Sequence, residues 1–291
     1  MTEKVREKVM LESLPVFSPT STDVWGVCPI LWRESYRMGW RPNAATKADV
    51  SRIAGIGFSA GMSQYNLGKT EDVVLGAAFD SVQQEIDHLL AAHIDCSAFA
   101  DMGDLELSLG NVLKYAITHD PTPSNWLVIE VEKPHPLAGN ARCDVVYQTP
   151  NGEKVVRDYK FKLAFDETRW LASTLWTYEH SEQVPHYLWM TEATRFLLTI
   201  YGASPKPRLI KEHPIEWTED ELERWEFTQR YKWRMMQEHI QYPHACWPAS
   251  QHETKYGKCQ LVEWCLVHKR DEAKRGLAGL VKIERLVAGG L

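Results

Sequence analysis

Residues 143–162 read CDVVYQTPNGEKVVRDYKFK, and the pattern in this stretch decides the fold. Two runs rich in Val and Tyr flank Pro150-Asn151-Gly152. Pro at the first corner of a type I turn, followed by Gly in the left-handed region, makes a favoured three-residue hairpin loop. The loop sets the register: Thr149 lies opposite Glu153, so Asp144 falls across from Asp158, at a Cβ separation of roughly 5 Å. Lys160, two residues beyond Asp158, projects from the same face because side chains alternate along a strand. One surface thus carries two carboxylates and an ammonium. It is either a solvated edge hairpin with a surface ion pair or a place where two repelling carboxylates share a cation. A hard divalent ion such as Mg²⁺ or Mn²⁺ suits such oxygen ligands, and a lysine beside it can activate water or steady a pentavalent phosphorane.

Working outward, residues 126–132 (WLVIEVE) open the sheet ahead of the hairpin, and residues 195–201 and 207–215 supply two more strands around Gly202-Ala203-Ser204-Pro205. At least five strands result. Apolar residues at helical spacing predict helices over 71–93 and 105–118. The longest helix, 218–241, is announced by a capping box of Thr218 and Glu221. Residues 28–40 (CPILWRESYRMGW) read as a short helix that stops at Gly39. There is no internal repeat, low-complexity tract or strong linker. The expected fold class is α/β, a central mixed sheet flanked by helices, with residues 1–24 as a leader, 25–266 as one domain and 267–291 as a tail.

At 291 residues the chain can bury an ample core. Hydrophobic residues make up 44% and charged residues 25%, which argues against disorder. No run has the length of a membrane span, and the first residues lack the apolar centre of a signal peptide, so the expectation is an intracellular protein with no membrane partner. The net charge of −6 argues against a general nucleic-acid coat protein and leaves a local groove open. The basic run His268, Lys269, Arg270, Lys274 and Arg275 reads as a solvated helix face, with contact to phosphates as the alternative. Base-stacking platforms can exist among the 12 tryptophans and 11 tyrosines, but aromatics at helical spacing are more often core.

Six cysteines in an intracellular chain point to thiols or metal ligands more than to disulfides. Cys246, Cys259 and Cys265 cluster in YPHACWPASQHETKYGKCQLVEWC, a Pro- and Gly-punctuated stretch, whereas Cys28 stands near the start of the domain. Clustered thiolates favour zinc or an iron-sulfur centre. Cys96 and Cys143 read as structural.

Taken together, the chain resembles the PD-(D/E)XK nucleases, specifically the RecB-like branch with an iron-sulfur cluster, which includes CRISPR-adaptation nucleases and phage exonucleases. The resemblance spans about residues 25–266. It implies a restriction-endonuclease-like core whose acidic pair and lysine are Asp144, Asp158 and Lys160, with the carbonyl of Tyr159 as a further metal ligand and Glu130 at an acidic position on the preceding strand. It implies that Cys28, Cys246, Cys259 and Cys265 hold a 4Fe-4S cluster joining the N- and C-terminal segments. The gap from Cys246 to Cys259 is longer than the family's pattern. The family's Gln-x-x-x-Tyr motif appears as Gln183-Val184-Pro185-His186-Tyr187, on one face of a helix if Pro185 lies in its first turn, and the resemblance implies that Gln183 and Tyr187 position the DNA strand.

The sequence departs from the family at the histidine of the upstream Gly-x-x-φ-His pattern, a metal ligand. Gly55-Ile56-Gly57-Phe58-Ser59 carries Ser59 there, and Gly76-Ala77-Ala78-Phe79-Asp80 offers Asp80, a competent Mg²⁺ ligand. The resemblance implies a Mg²⁺- or Mn²⁺-dependent deoxyribonuclease, an exonuclease preferring single-stranded ends, in a prokaryotic or virus-infected cell. The alternative is a catalytically weakened, nuclease-like subunit that binds DNA or a partner protein.

Overall fold

A computed structural model describes residues 19–131, 142–163, 167–204, 206–242, 253–254, 257–258, 261, 264–265 and 274–282. In chain order, α1 (Pro19–Val27) and the single turn α2 (Pro29–Trp32) lead through a π-helical turn, Arg33–Arg37, into β1 (Trp40–Pro42). Helices α3 (Lys47–Asn66), α4 (Glu71–Ala91) and α5 (Met102–Thr118) precede β2 (Leu127–Val131), β3 (Val145–Gln148) and β4 (Lys154–Lys162). Then come α6 (Glu167–Glu179), α7 (Gln183–Thr191), β5 (Arg195–Gly202), β6 (Arg208–Glu216) and α8 (Glu219–Gln241). Three short strands follow: β7 (Glu253–Thr254), β8 (Gly257–Lys258) and β9 (Leu280–Lys282).

The hairpin has the expected register. Val145 pairs with Arg157, Val146 with Val156, Tyr147 with Val155 and Gln148 with Lys154. Gly152 adopts φ of 84°, its N–H donates to Thr149 O at 2.9 Å, and the Thr149 N–H donates to Glu153 O at 2.9 Å. This hairpin lies within a five-stranded mixed sheet ordered β2-β3-β4-β5-β6; the mixed sheet and its five strands are as expected, and the order is what the structure adds. Only the β4–β5 ladder is parallel. A parallel step needs a crossover, which α6 and α7 provide.

Both faces of the sheet are covered, so β4 is buried along most of its length. On one face Tyr147, Tyr159, Phe161 and Tyr201 meet the layer of α3, α4 and α5; Phe58 of α3 stacks on Phe161 with ring centroids 5.3 Å apart. On the other, Val146, Val156, Phe196 and Leu198 pack against Val184 and Leu188 of α7. Asp158 and Lys160 alternate with Tyr159 and so share this second face.

Two glycines of GIGFSAGM, Gly57 and Gly61, serve the packing of α3. A Cβ at Gly57 would come within 2.9 Å of Ala78 O and 2.6 Å of Val82 Cγ2, and one at Gly61 within 3.3 Å of Val74 O. Helices α3 and α4 therefore approach more closely than side chains would permit. The Thr46–Asp49 capping box starts α3, and the predicted Thr218–Glu221 box starts α8.

The chain ends are tied to each other. Strand β1 pairs antiparallel with β9, Trp40 opposite Lys282, so β9 within residues 267–291 joins β1 of the domain. Glu34, fully buried, accepts from Arg33 Nε at 2.8 Å and from Arg275 Nε at 2.9 Å. The Arg275 guanidinium also lies 5.1 Å from the Trp40 ring centroid and 5.2 Å from that of Trp264. The reading of the basic run as a solvated face fails at Arg275, which is buried because a buried carboxylate requires a partner. His268, Lys269 and Arg270 lie outside the described residues. Among the described residues no helix is long and apolar enough to cross a membrane.

Candidate functional site

The second face of the sheet gathers five of the expected side chains. Asp158 is 2% exposed, and its Oδ2 meets Lys160 Nζ at 2.7 Å in an ion pair. Its Oδ1 accepts from Gln183 Nε2 at 3.0 Å. Gln183 is the first residue of α7, so Pro185 does fall in the first turn, where its missing N–H costs nothing. Tyr187, one turn on, is buried, and its phenol is pushed well above the usual range by burial and then by Asp158. Asp144 stands just before β3, half-buried, and its Oδ2 accepts from the Tyr159 N–H at 2.6 Å. The two aspartates thus hold adjacent points of β4: one belongs to it and the other bonds its backbone.

Burial and its neighbours set the charges. Burial raises the Asp158 carboxyl above the ordinary range, and Lys160 opposes that rise. Burial acts to lower the Lys160 ammonium, but Asp158, then Tyr178 and Asp144, hold it well above the ordinary lysine value. The Lys160 side chain is 30% exposed. The ring of Tyr178 on α6 lies 5.4 Å from Nζ, a cation–π contact that the hairpin pattern gave no hint of.

Glu130 reaches this same face through a β-bulge. Val128 pairs with Tyr147, but Glu130 pairs with Val146, because Ile129 is an extra residue between them. Without the bulge, alternation would send Glu130 to the opposite face. Glu130 and Asp144 both help to raise the Cys143 thiol, which burial pushes up to about 12. Cys143 therefore stays protonated and inert, as a structural cysteine should.

Ser59 and Asp80 lie elsewhere in the architecture. Ser59 is on α3, where its carbonyl accepts from Ser63 Oγ at 2.8 Å. Asp80 is exposed on α4. Among the described residues no group of three or more His, Cys, Asp or Glu side chains gathers as a metal-binding set, so Asp80 does not join Asp144 and Asp158 in one. Cys28 and Cys265 both pack against one apolar cluster of Ile30, Leu31, Leu261, Trp264 and Leu280. Cys28 also caps α2, its Sγ accepting the Leu31 N–H at 3.4 Å. Cys246 and Cys259 lie outside the described residues.

No protein-family model matches the chain, and no curated protein matches it. Among solved structures, the crystal structure of SSO0001 is similar at 15% identity, over 67% of this chain and 76% of that one, with a TM-score of 0.27. A likeness of that size carries no argument about the fold or the chemistry.

Proposed function

We propose that the protein is a metal-dependent deoxyribonuclease whose reacting centre is Asp144, Asp158 and Lys160, served by Gln183 and Tyr187. The observation that carries this reading is the junction at Asp158, where Gln183 binds one carboxylate oxygen at 3.0 Å and Lys160 pairs with the other at 2.7 Å. A solvated surface ion pair would not be 2% exposed, nor would it recruit an amide from a separate helix. The donor set suits a hard cation: two carboxylates and the Tyr159 carbonyl are all oxygen ligands. A Mg²⁺ or Mn²⁺ ion held there would polarise the scissile phosphate and lower the pKa of the attacking water.

The remaining work belongs to the side chains. Lys160, paired with Asp158, supplies a positive charge that stabilises the developing charge on phosphorus oxygens, and it orients or deprotonates the attacking water. Gln183 fixes the rotamer of Asp158. Tyr187, neutral and buried, shields the pair from water, and Tyr178 caps the ammonium. The test is end-labelled DNA, single-stranded and duplex, labelled at 5′ or 3′ and incubated with Mn²⁺ or with EDTA. Metal-dependent cleavage of single strands from an end is expected. Absence of metal-dependent cleavage on every DNA form would sink the reading.

One feature favours a second reading, a nuclease-like subunit that binds DNA or a partner protein with weakened chemistry: a serine, Ser59, stands where the resemblance has a metal-binding histidine, and Asp80 is exposed on α4. In that case the same assay gives binding without cleavage.

The proposal extends to a 4Fe-4S cluster held by Cys28, Cys246, Cys259 and Cys265. The shared packing of Cys28 and Cys265 supports it, because the β1–β9 pair and the Glu34–Arg275 ion pair bring their two segments together. Anaerobically purified protein is expected to contain about four irons and four acid-labile sulfides per chain, with a broad visible absorption. Zinc alone would remove the cluster.

A further inference from the structure

Helix α7 presents its first two turns to two different partners. Gln183 and Tyr187, four residues apart, serve Asp158 and Lys160. Glu182, His186 and Trp189, spaced by four and three, face α8 instead. The Glu182 carboxylate accepts from Trp225 Nε1 at 2.7 Å and from Gln229 Nε2, and it pairs with Lys232 Nζ. All three donors stand on α8, and Trp225 and Gln229 are 8% and 2% exposed. One turn further on, the His186 ring meets those of Trp225 and Trp233 edge-on, with centroids 5.7 and 6.0 Å away. Glu182 occupies the N-cap position of α7, yet its side chain makes no capping bond. A carboxylate at a helix start normally takes the free N–H groups there. This one is committed to the neighbouring helix.

We infer that Glu182 is a positioning residue: by fastening the first turn of α7 to α8, it sets where the next side chain, Gln183, meets Asp158. The inference rests on the proposed role of Asp158 and Lys160. Its physical basis is that three donors, two of them buried, have a single acceptor group. Without that acceptor they must find water or turn away, and the first turn of α7 moves with them. Displacing a positioning group by about 1 Å can cost on the order of a hundredfold in rate.

The test uses the full chain as Glu182→Ala, Glu182→Gln and Lys232→Met. Two quantities are read: kcat and KM for Mn²⁺-dependent cleavage of end-labelled single-stranded DNA, and the side-chain amide NMR signals of Gln183, assigned by their loss in Gln183→Leu. Glu182→Ala is expected to move the Gln183 amide pair to the position of a free amide and to lower kcat roughly ten- to hundredfold at nearly constant KM. Glu182→Gln keeps an oxygen for Trp225 and is expected to restore most of both. Should the alanine variant fail to fold, Lys232→Met carries the same test with a smaller shift in the same direction. Unchanged Gln183 signals in the folded variants overturn the inference. A wild-type protein that cleaves nothing, with Gln183 signals that still respond to Glu182, removes the nuclease reading and leaves the clamp in place.

Discussion

Replacing Arg157 by Met is expected to lower the unfolding free energy by about 1–3 kcal/mol, because it leaves the half-buried carboxylates of Asp120 and Glu212 without the guanidinium that pairs with both. Arg157 is fully buried in the middle strand of the sheet. Its Nη1 donates to Asp120 Oδ1 at 3.0 Å and to Thr122 Oγ1, and its Nη2 donates to Glu212 Oε2 at 2.9 Å. The Tyr147 ring lies 5.4 Å from the guanidinium carbon. Tyr147 in turn donates to Asn66 Oδ1 at 2.7 Å and touches the Tyr159 hydroxyl at 3.3 Å, so α3, β3, β4, β6 and the loop after α5 meet at one polar knot. Burial, then Asp120, pushes the nearby Tyr65 phenol up to about 12, so none of these phenols carries a charge that the loss of Arg157 would relieve. Urea denaturation followed by tryptophan fluorescence measures the loss. Adding Asp120→Asn to Arg157→Met is expected to recover part of it, since the second change removes one of the stranded charges. A single variant within about 0.5 kcal/mol of wild type, the range of ordinary surface substitutions, would show that the knot contributes nothing net.

That knot was invisible in the sequence. Arg157 sits in VVRDYK, and an arginine one residue from an aspartate in a strand reads as solvated unless the opposite layer is known to bring acids over it. Its partners come from residue 120 and residue 212, and no local pattern links them. The hairpin was legible for the contrary reason: Pro150-Asn151-Gly152 fixes a turn by sterics alone, and the register follows by counting. Helices α4, α5 and α8 were also legible, from periodicity and, for α8, the Thr218 box. Helix α3 was not predicted along its length, because Gly55, Gly57 and Gly61 lower its intrinsic propensity. Gly57 and Gly61 are there for the crossing with α4, a tertiary demand. The placement of Glu130 on the site face depended on a bulge at Ile129, which alternation cannot foresee. Gln183 and Tyr187 came from the motif of the resembled family, but Tyr178, which lies over Lys160, and Glu182, which binds α8, carry no signature of their own.

Lys160→Met is expected to cut metal-dependent cleavage by roughly 10²- to 10⁴-fold, the range for loss of one charge or proton-handling group at a reacting centre. It is also expected to change how stability depends on pH, a readout that exists whether or not the protein is a nuclease. In the wild type, burial raises the Asp158 carboxyl and the ammonium beside it limits the rise. Removing the ammonium leaves a carboxyl that is 2% exposed with only the Gln183 amide on its oxygens, so its folded-state pKa goes higher still. A carboxyl whose pKa is raised on folding binds its proton more tightly when folded. Its contribution to stability is complete below the unfolded value of about 3.9 and is lost as pH rises through the folded value. The variant should therefore approach wild-type stability at low pH and fall progressively behind it as pH rises above the ordinary carboxylate range. Adding Asp158→Asn, which cannot ionise, should flatten that difference while leaving cleavage abolished. Denaturation midpoints at several pH values, taken beside cleavage rates at the working pH, separate the two effects. A Lys160→Met protein that tracks the wild type at every pH would mean that the buried ion pair at 2.7 Å does not set the charge of Asp158, and the electrostatic role assigned to Lys160 would fall with it.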